Sequence, residues 1–172
     1  AKTVAFGDSI YLASVPPQPG EETWKFIDDL KSPLWTKHDW VKSDPGAGFA
    51  NLSGGVSIKT GFPDGKNLLE TAYEDLNSFL SAGGVSAENG NYVIETVQDK
   101  TLKGEAFMID VKPERLQIMA GDAEGIRRGI FCLEDEMLRL RGPFLALGTM
   151  DKKPVIERRI SRCFFGPIKR AP

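Results

Sequence analysis

The sequence comprises 172 residues, 41% of them hydrophobic and 27% charged, with a formal net charge of -2. That length supports one ordinary domain with a real core rather than two, and the near-balanced charge gives no electrostatic basis for nucleic-acid binding. No run approaches the roughly 18 apolar residues a membrane-spanning helix needs, and Ala1 opens the chain without a basic, apolar leader, as a mature or trimmed chain would.

Residues 1–65 hold most of the turn formers, in Val15-Pro16-Pro17-Gln18-Pro19-Gly20, Asp44-Pro45-Gly46-Ala47-Gly48 and Phe62-Pro63-Asp64-Gly65. This half reads as short strands and loops, with strands at 3–6 and 56–60 and one or two helical turns at 24–30. From Lys66 the pattern sharpens. Leu68, Ala72, Leu76 and Leu80 recur every fourth residue, with Leu69, Tyr73 and Phe79 widening the stripe, which predicts an amphipathic helix over 66–82. Asp64-Gly65 make its opening turn, and Gly83-Gly84 supply the left-handed positions that end helices.

Three runs rich in β-branched or aromatic residues follow at 92–97, 106–111 and 116–120, and their short connections predict an antiparallel meander. Ile126, Ile130, Leu133, Met137 and Leu140 mark a second helix over 123–141, with Asp122 as its N-cap and Gly142-Pro143 beyond its end. Gly129 lies on its apolar side, where a missing side chain lets the helix approach a sheet. A last strand is expected at 160–165. The predicted class is α+β: a two-layer sandwich of a mainly antiparallel sheet with helices on one face, plus an irregular β-rich N-terminal arm. No repeat of 20 to 50 residues is present, which excludes a solenoid.

The runs Tyr92-Val93-Ile94, Glu105-Ala106-Phe107-Met108-Ile109 and Leu116-Gln117-Ile118-Met119-Ala120-Gly121-Asp122-Ala123-Glu124-Gly125-Ile126-Arg127-Arg128-Gly129 carry a resemblance. They resemble the non-catalytic domain that precedes the catalytic barrel in β-hexosaminidases of glycoside hydrolase family 20 and in α-glucuronidases. There a strand ending in a small residue meets an Asp-x-x-Gly-x-x-x-Gly helix start, as Asp122, Gly125 and Gly129 do here. The tail from Pro154 to Phe165 looks like the segment that leads into the first barrel strand. The resemblance implies residues 1–55 as an irregular β and loop segment, 56–150 as the α+β domain, and 151–172 as a linker and the truncated first strand of a following barrel.

The function implied is a non-catalytic accessory domain of a secreted bacterial glycoside hydrolase, partnered by its own C-terminal barrel and in contact with glycan. The alternative is a stand-alone carbohydrate-binding or structural module. Arg162 takes the place of an arginine that grips sugar hydroxyls in the hexosaminidases, a task suited to a planar guanidinium fork. The Gly and Asp that follow that arginine there are Cys163 and Pro167 here, so hexosamine specificity does not carry over.

Among other chemistry-bearing residues, Trp35 and Trp40, with Trp24 close by, are candidate glycan contacts because pyranose faces stack on indole; the alternative is that they plug the core. Phe6-Gly7-Asp8-Ser9-Ile10 looks like the nucleophile block of GDSL-type esterases, which also need a C-terminal histidine preceded by aspartate. The single histidine, His38, lies in the N-terminal half with Asp39 after it, so the block reads as a tight turn. Glu134-Asp135-Glu136 read as a solvated helix face, because consecutive helical residues point about 100° apart, and Glu21-Glu22 and Asp28-Asp29 read likewise. Cys132 and Cys163 are too far apart for a CxxC pair and read as two buried thiols, with a single disulfide as the alternative. No cofactor or metal is implied. A domain made to dock on a barrel should expose apolar surface, and the candidates are Phe164, Phe165 and the segment 143–147.

Overall fold

The computed structural model describes residues 37–40 and 45–156. The chain divides into two compact units, residues 1–36 and 37–172, and every described residue belongs to the second. Its elements in order are strand β1 (Phe49–Asn51), strand β2 (Val56–Thr60), helix α1 (Glu70–Ala82), strands β3 (Tyr92–Gln98), β4 (Phe107–Val111) and β5 (Arg115–Ala120), helix α2 (Ala123–Leu140), and strands β6 (Phe144–Ala146) and β7 (Gly148–Lys152). The expected strands at 3–6 and 160–165, the helical turns at 24–30 and the Ser9 block lie outside the described residues.

Five strands form one sheet in the order β2-β3-β5-β4-β7, and β1 pairs with β6 in a second, two-stranded sheet. Strict alternation explains which side of the large sheet is covered. Tyr92, Ile94 and Thr96 of β3, Phe107, Ile109 and Val111 of β4, and Leu116, Ile118 and Ala120 of β5 all point to one face and are buried. Both helices lie on that face: the Tyr73 hydroxyl of α1 bonds the Thr96 hydroxyl at 2.8 Å, Gly129 of α2 sits against Ile118, and Thr96 and Ile118 are cross-strand partners. The fold is therefore the α+β two-layer arrangement, with three of its five strand pairings antiparallel. On the other face Gln117 donates to Glu95 at 2.8 Å, beside the apolar cross-strand neighbours Val97, Met119 and Met108.

The apolar stripe of α1 buries Ala72, Leu76, Phe79 and Leu80, and that of α2 buries Ile126, Ile130, Leu133 and Met137. Each of the larger side chains contributes about 1.5–3 kcal/mol by leaving water.

The meander expected from short connections is not formed. β3 lies beside β5, parallel to it, with Ile94 opposite Leu116, and only β4 and β5 make a hairpin. Loop length alone did not reveal that the segment after β3 carries the chain past the position later filled by β5. This places β5, whose inward residues are all buried, at the centre of the sheet. Helix α1 begins four residues later than expected. Asn67 takes a left-handed conformation at φ 54°, and the Asp64 carboxylate accepts from the amides of Leu68 (2.9 Å) and Leu69 (2.8 Å), which satisfies donors a helix start leaves open. Those bonds hold the Asp64 carboxyl below its ordinary value.

Helix α2 ends on Arg141, not glycine, in the left-handed region at φ 53°, with the Gly142 amide returning to the Met137 carbonyl at 3.1 Å. The 143–147 segment is not an exposed apolar linker. Phe144 and Leu145 are buried, Ala146 and Leu147 are exposed, and the segment is held by pairing with β1, including Leu52 N to Pro143 O at 2.8 Å.

Candidate functional site

The described residues gather polar and aromatic groups where α1 ends. Gly84 adopts the expected left-handed φ of 73°, while Gly83 stays right-handed at φ -83°, and the chain at 37–40 lies across the helix terminus. The His38 amide donates to the Ala82 carbonyl at 3.2 Å, and His38 Nε2 donates to the Phe79 carbonyl at 2.9 Å. The first supplies a donor to the Ala82 carbonyl at the helix end, and the second adds a bond to the Phe79 carbonyl, which also accepts from the Gly83 amide at 3.2 Å. Because a carbonyl only accepts, Nε2 carries a proton and is not the basic nitrogen of an esterase.

Trp40 stacks on His38 with ring centroids 4.8 Å apart and meets Phe79 edge-on at 5.7 Å. Its six-membered ring occupies the space that a side chain at Gly83 would fill. Beside it opens a cleft of about 490 Å³ lined by Trp40, His38, Asn51, Ser53, Gly84 and Phe144. Asn51 Oδ1 accepts from the Ser53 amide at 2.9 Å, and the Trp40 indole N–H is shielded from water without an acceptor among the described residues. The cleft can hold a small polar group. Gly83→Ala is expected to drive Trp40 out of this position, seen as a red-shifted tryptophan emission at nearly unchanged helical circular dichroism; an unchanged spectrum would show that the helix end yields instead.

The strand-to-helix junction that carries the family resemblance joins β5 to α2. The Asp122 carboxylate caps α2 by accepting from the Gly125 amide at 2.8 Å, a role favoured at a helix start. A Cβ on Gly125 would stand 2.7 Å from the Ala106 carbonyl and from Ala120 Cβ, and one on Gly129 would overlap the Ile118 methyl. Arg127 pairs with Glu124 and donates to the Leu68 carbonyl at 2.7 Å, tying the start of α2 to that of α1. Arg128 lies between Glu105 (2.9 Å) and Glu124 (3.2 Å). The Arg128 Nε contact with Glu105 is close but off the line of a directed hydrogen bond, so it acts as an ion pair. Together these contacts fix how closely α2 sits on β5.

Glu134-Asp135-Glu136 is not uniformly a solvated face. Asp135 is exposed and Glu136 pairs with Arg139 at 2.6 Å, but Glu134 is 4% exposed and its Oε1 has no hydrogen-bond partner. Burial first, then the charges of Asp75 and Asp135, push its carboxyl up to about 8. The reason is the helical period: Glu134 stands four residues after Ile130 and next to Leu133, so it falls on the flank of the apolar stripe. Neither Glu134 nor Asp75 lines any of the three hollows described here.

Cys132 is a free, half-buried thiol whose pKa burial raises, as a structural cysteine's would be. Among the described residues no group of three or more His, Cys, Asp or Glu could hold a metal ion, and no helix is long and apolar enough to cross a membrane. Of the residues singled out in sequence, Trp40 lies at the end of α1. Arg162, Trp24, Trp35, Cys163, Phe164, Phe165, Glu21-Glu22 and Asp28-Asp29 lie outside the described residues. Sequence reasoning did not single out the His38 cap or the burial of Glu134.

No family model and no curated protein match the chain. Among solved structures, the chain is similar to a β-N-acetylhexosaminidase from Bacteroides fragilis (24% identity over 63% of this chain and 22% of that one, TM-score 0.45). It is likewise similar to a Streptomyces plicatus β-hexosaminidase (19% identity, 72% and 27%, TM-score 0.48). A third is a GH138 enzyme targeting pectin rhamnogalacturonan II (20% identity, 57% and 11%, TM-score 0.49). The chain thus spans about a quarter or less of the length of each.

Proposed function

We propose that this chain is a non-catalytic accessory domain of a secreted bacterial glycoside hydrolase, positioned ahead of a (β/α)₈ catalytic barrel and supporting it. The observation that carries the reading is the junction of β5 and α2. The Asp122, Gly125 and Gly129 pattern that resembles the pre-barrel domain of family 20 enzymes is used here as that pattern requires, one residue capping the helix and two admitting it onto the sheet. Among the described residues Glu134 is buried, Glu105, Glu124 and Glu136 pair with arginines, and Asp122 caps α2, which fits a supporting role. Glycan breakdown then belongs to the barrel, and Arg162, Trp35 and Trp40 remain as proposed substrate contacts.

The test has two arms. The 172-residue chain is expected to turn over neither chromogenic glycosides nor nitrophenyl acetate, and the gene beyond codon 172 is expected to encode alternating strand and helix units. Hydrolysis abolished by a point substitution within this chain would overturn the non-catalytic reading. A gene continuing into anything other than a barrel would overturn the accessory one.

A further inference from the structure

A trough runs along α1 beside β2, at the edge of the large sheet. It consists of two adjoining hollows of about 590 and 460 Å³ that share Thr60, Tyr73 and Asn77. One wall is a single ridge of α1, with Tyr73, Asn77 and Ser81 four residues apart and so in line. From Glu70 to Ser81 this wall extends about 16 Å at the α-helical rise, long enough for several sugar rings. The floor is the inward side of β2, where cover fails toward the strand's end: Val56 is buried, Ile58 half-buried and Thr60 exposed.

We infer that this trough is a binding site for a neutral oligosaccharide. Its lining carries no lysine, arginine or histidine, while Asp64, Glu70, Glu74 and Glu88 all border it. Phosphates, sulfates and uronates therefore meet no cation in the lining itself. Two of those carboxylates have local duties, Asp64 capping α1 and Glu70 accepting from the Asn67 amide. Glu74, Asn77 and Thr60 are exposed to the trough and present acceptors, an amide donor and a hydroxyl, the mixture that vicinal sugar hydroxyls require. Between them Ile58 and the Tyr73 ring offer apolar surface for the C–H face of a pyranose. The Tyr73 ring is already fixed, because its hydroxyl is bonded to Thr96, so ordering it costs a ligand little.

An added peptide strand is the poorer fit. The outward amide and carbonyl of Val56 are taken by Ser86 (2.7 Å) and Gly90 (3.1 Å), and the short remainder of the edge carries Lys59, which discourages strand pairing.

The assignment stands on the trough's own chemistry, and it is read on this chain alone, so it can fail or hold whether or not a barrel follows. The experiment is a backbone-amide NMR titration of the 172-residue chain with cello-, xylo-, manno- and chito-oligosaccharides, with oligogalacturonate and with oligolysine. At least one neutral oligosaccharide is expected to shift the Thr60, Tyr73, Asn77 and Ser81 amides. Asn77→Ala and Glu74→Ala, both at exposed positions, are expected to weaken that binding by about tenfold or more at an unchanged melting temperature. The inference is overturned if no neutral oligosaccharide perturbs those amides at millimolar concentration. It is equally overturned if oligogalacturonate or oligolysine binds there more tightly, or if both variants bind as the parent does.

Discussion

Glu134→Gln is expected to leave stability near pH 4 within about 1 kcal/mol of the parent and to exceed the parent above about pH 8 by on the order of 4 kcal/mol. The carboxyl is 4% exposed with Oε1 unpartnered, and its folded-state value of about 8 stands well above the ordinary 4.5. A carboxyl raised in this way keeps its proton in the folded chain long after the unfolded chain has lost it. Stability contributed by the neutral form is therefore fully present below about pH 4.5 and lost progressively as pH rises toward 8, beyond which the cost is constant. Glutamine keeps the shape and removes the ionisation, so the two denaturation curves should coincide in acid and part through neutrality. Parallel stability-versus-pH profiles for the two proteins would show that Glu134 is solvated or paired in solution.

Gly129→Ala should destabilise the chain by about 2 kcal/mol, even though alanine is the better helix former by about 1 kcal/mol. The added Cβ overlaps the Ile118 methyl, and Ile118 is fully buried on β5, opposite Thr96 and Ile109. Either α2 moves off the sheet or Ile118 leaves its rotamer, and both loosen contacts of Phe107, whose ring also lies within 3.5 Å of the new atom. Chemical denaturation with an unchanged m-value reads the cost. A variant as stable as the parent would mean that α2 can ride higher on β5 without penalty, and the physical account of the Asp-x-x-Gly-x-x-x-Gly pattern would lose its second glycine.

The α+β class, both helices and the large-sheet strands β2 to β5 were determined by the sequence itself, because each rests on a short-range rule. The four-residue recurrence of Ala72, Leu76 and Leu80 specifies a helix stripe, although Leu68, counted with them in sequence, lies before the helix and is exposed, and Asp122 followed by Gly125 specifies a capped start. What only the tertiary structure decided depends on distant partners. Strand order is the plainest case: nothing local in Tyr92–Gln98 says that its neighbour is β5 rather than β4, because both offer alternating apolar faces. Strands β1, β6 and β7 are three to five residues long and carry weak patterns of their own. They exist because Ala50 and Leu145 are brought opposite one another and because β4 presents a free edge to Gly148–Lys152.

The same division separates the candidate sites. The composition of Glu134-Asp135-Glu136 suggested three equivalent solvated acids, and the packing of α2 against α1 and the sheet made one of them a buried group whose carboxyl is pushed well above its ordinary value. His38 and Trp40 are simply an isolated histidine and an indole in sequence. Only the arrival of that segment at the end of α1, forty residues further along, turns the first into a cap on the Phe79 and Ala82 carbonyls and gives the second its place over Gly83. Hydrogen bonds and overlaps between residues so far apart are set by where the chain returns in space, which neither spacing nor composition encodes.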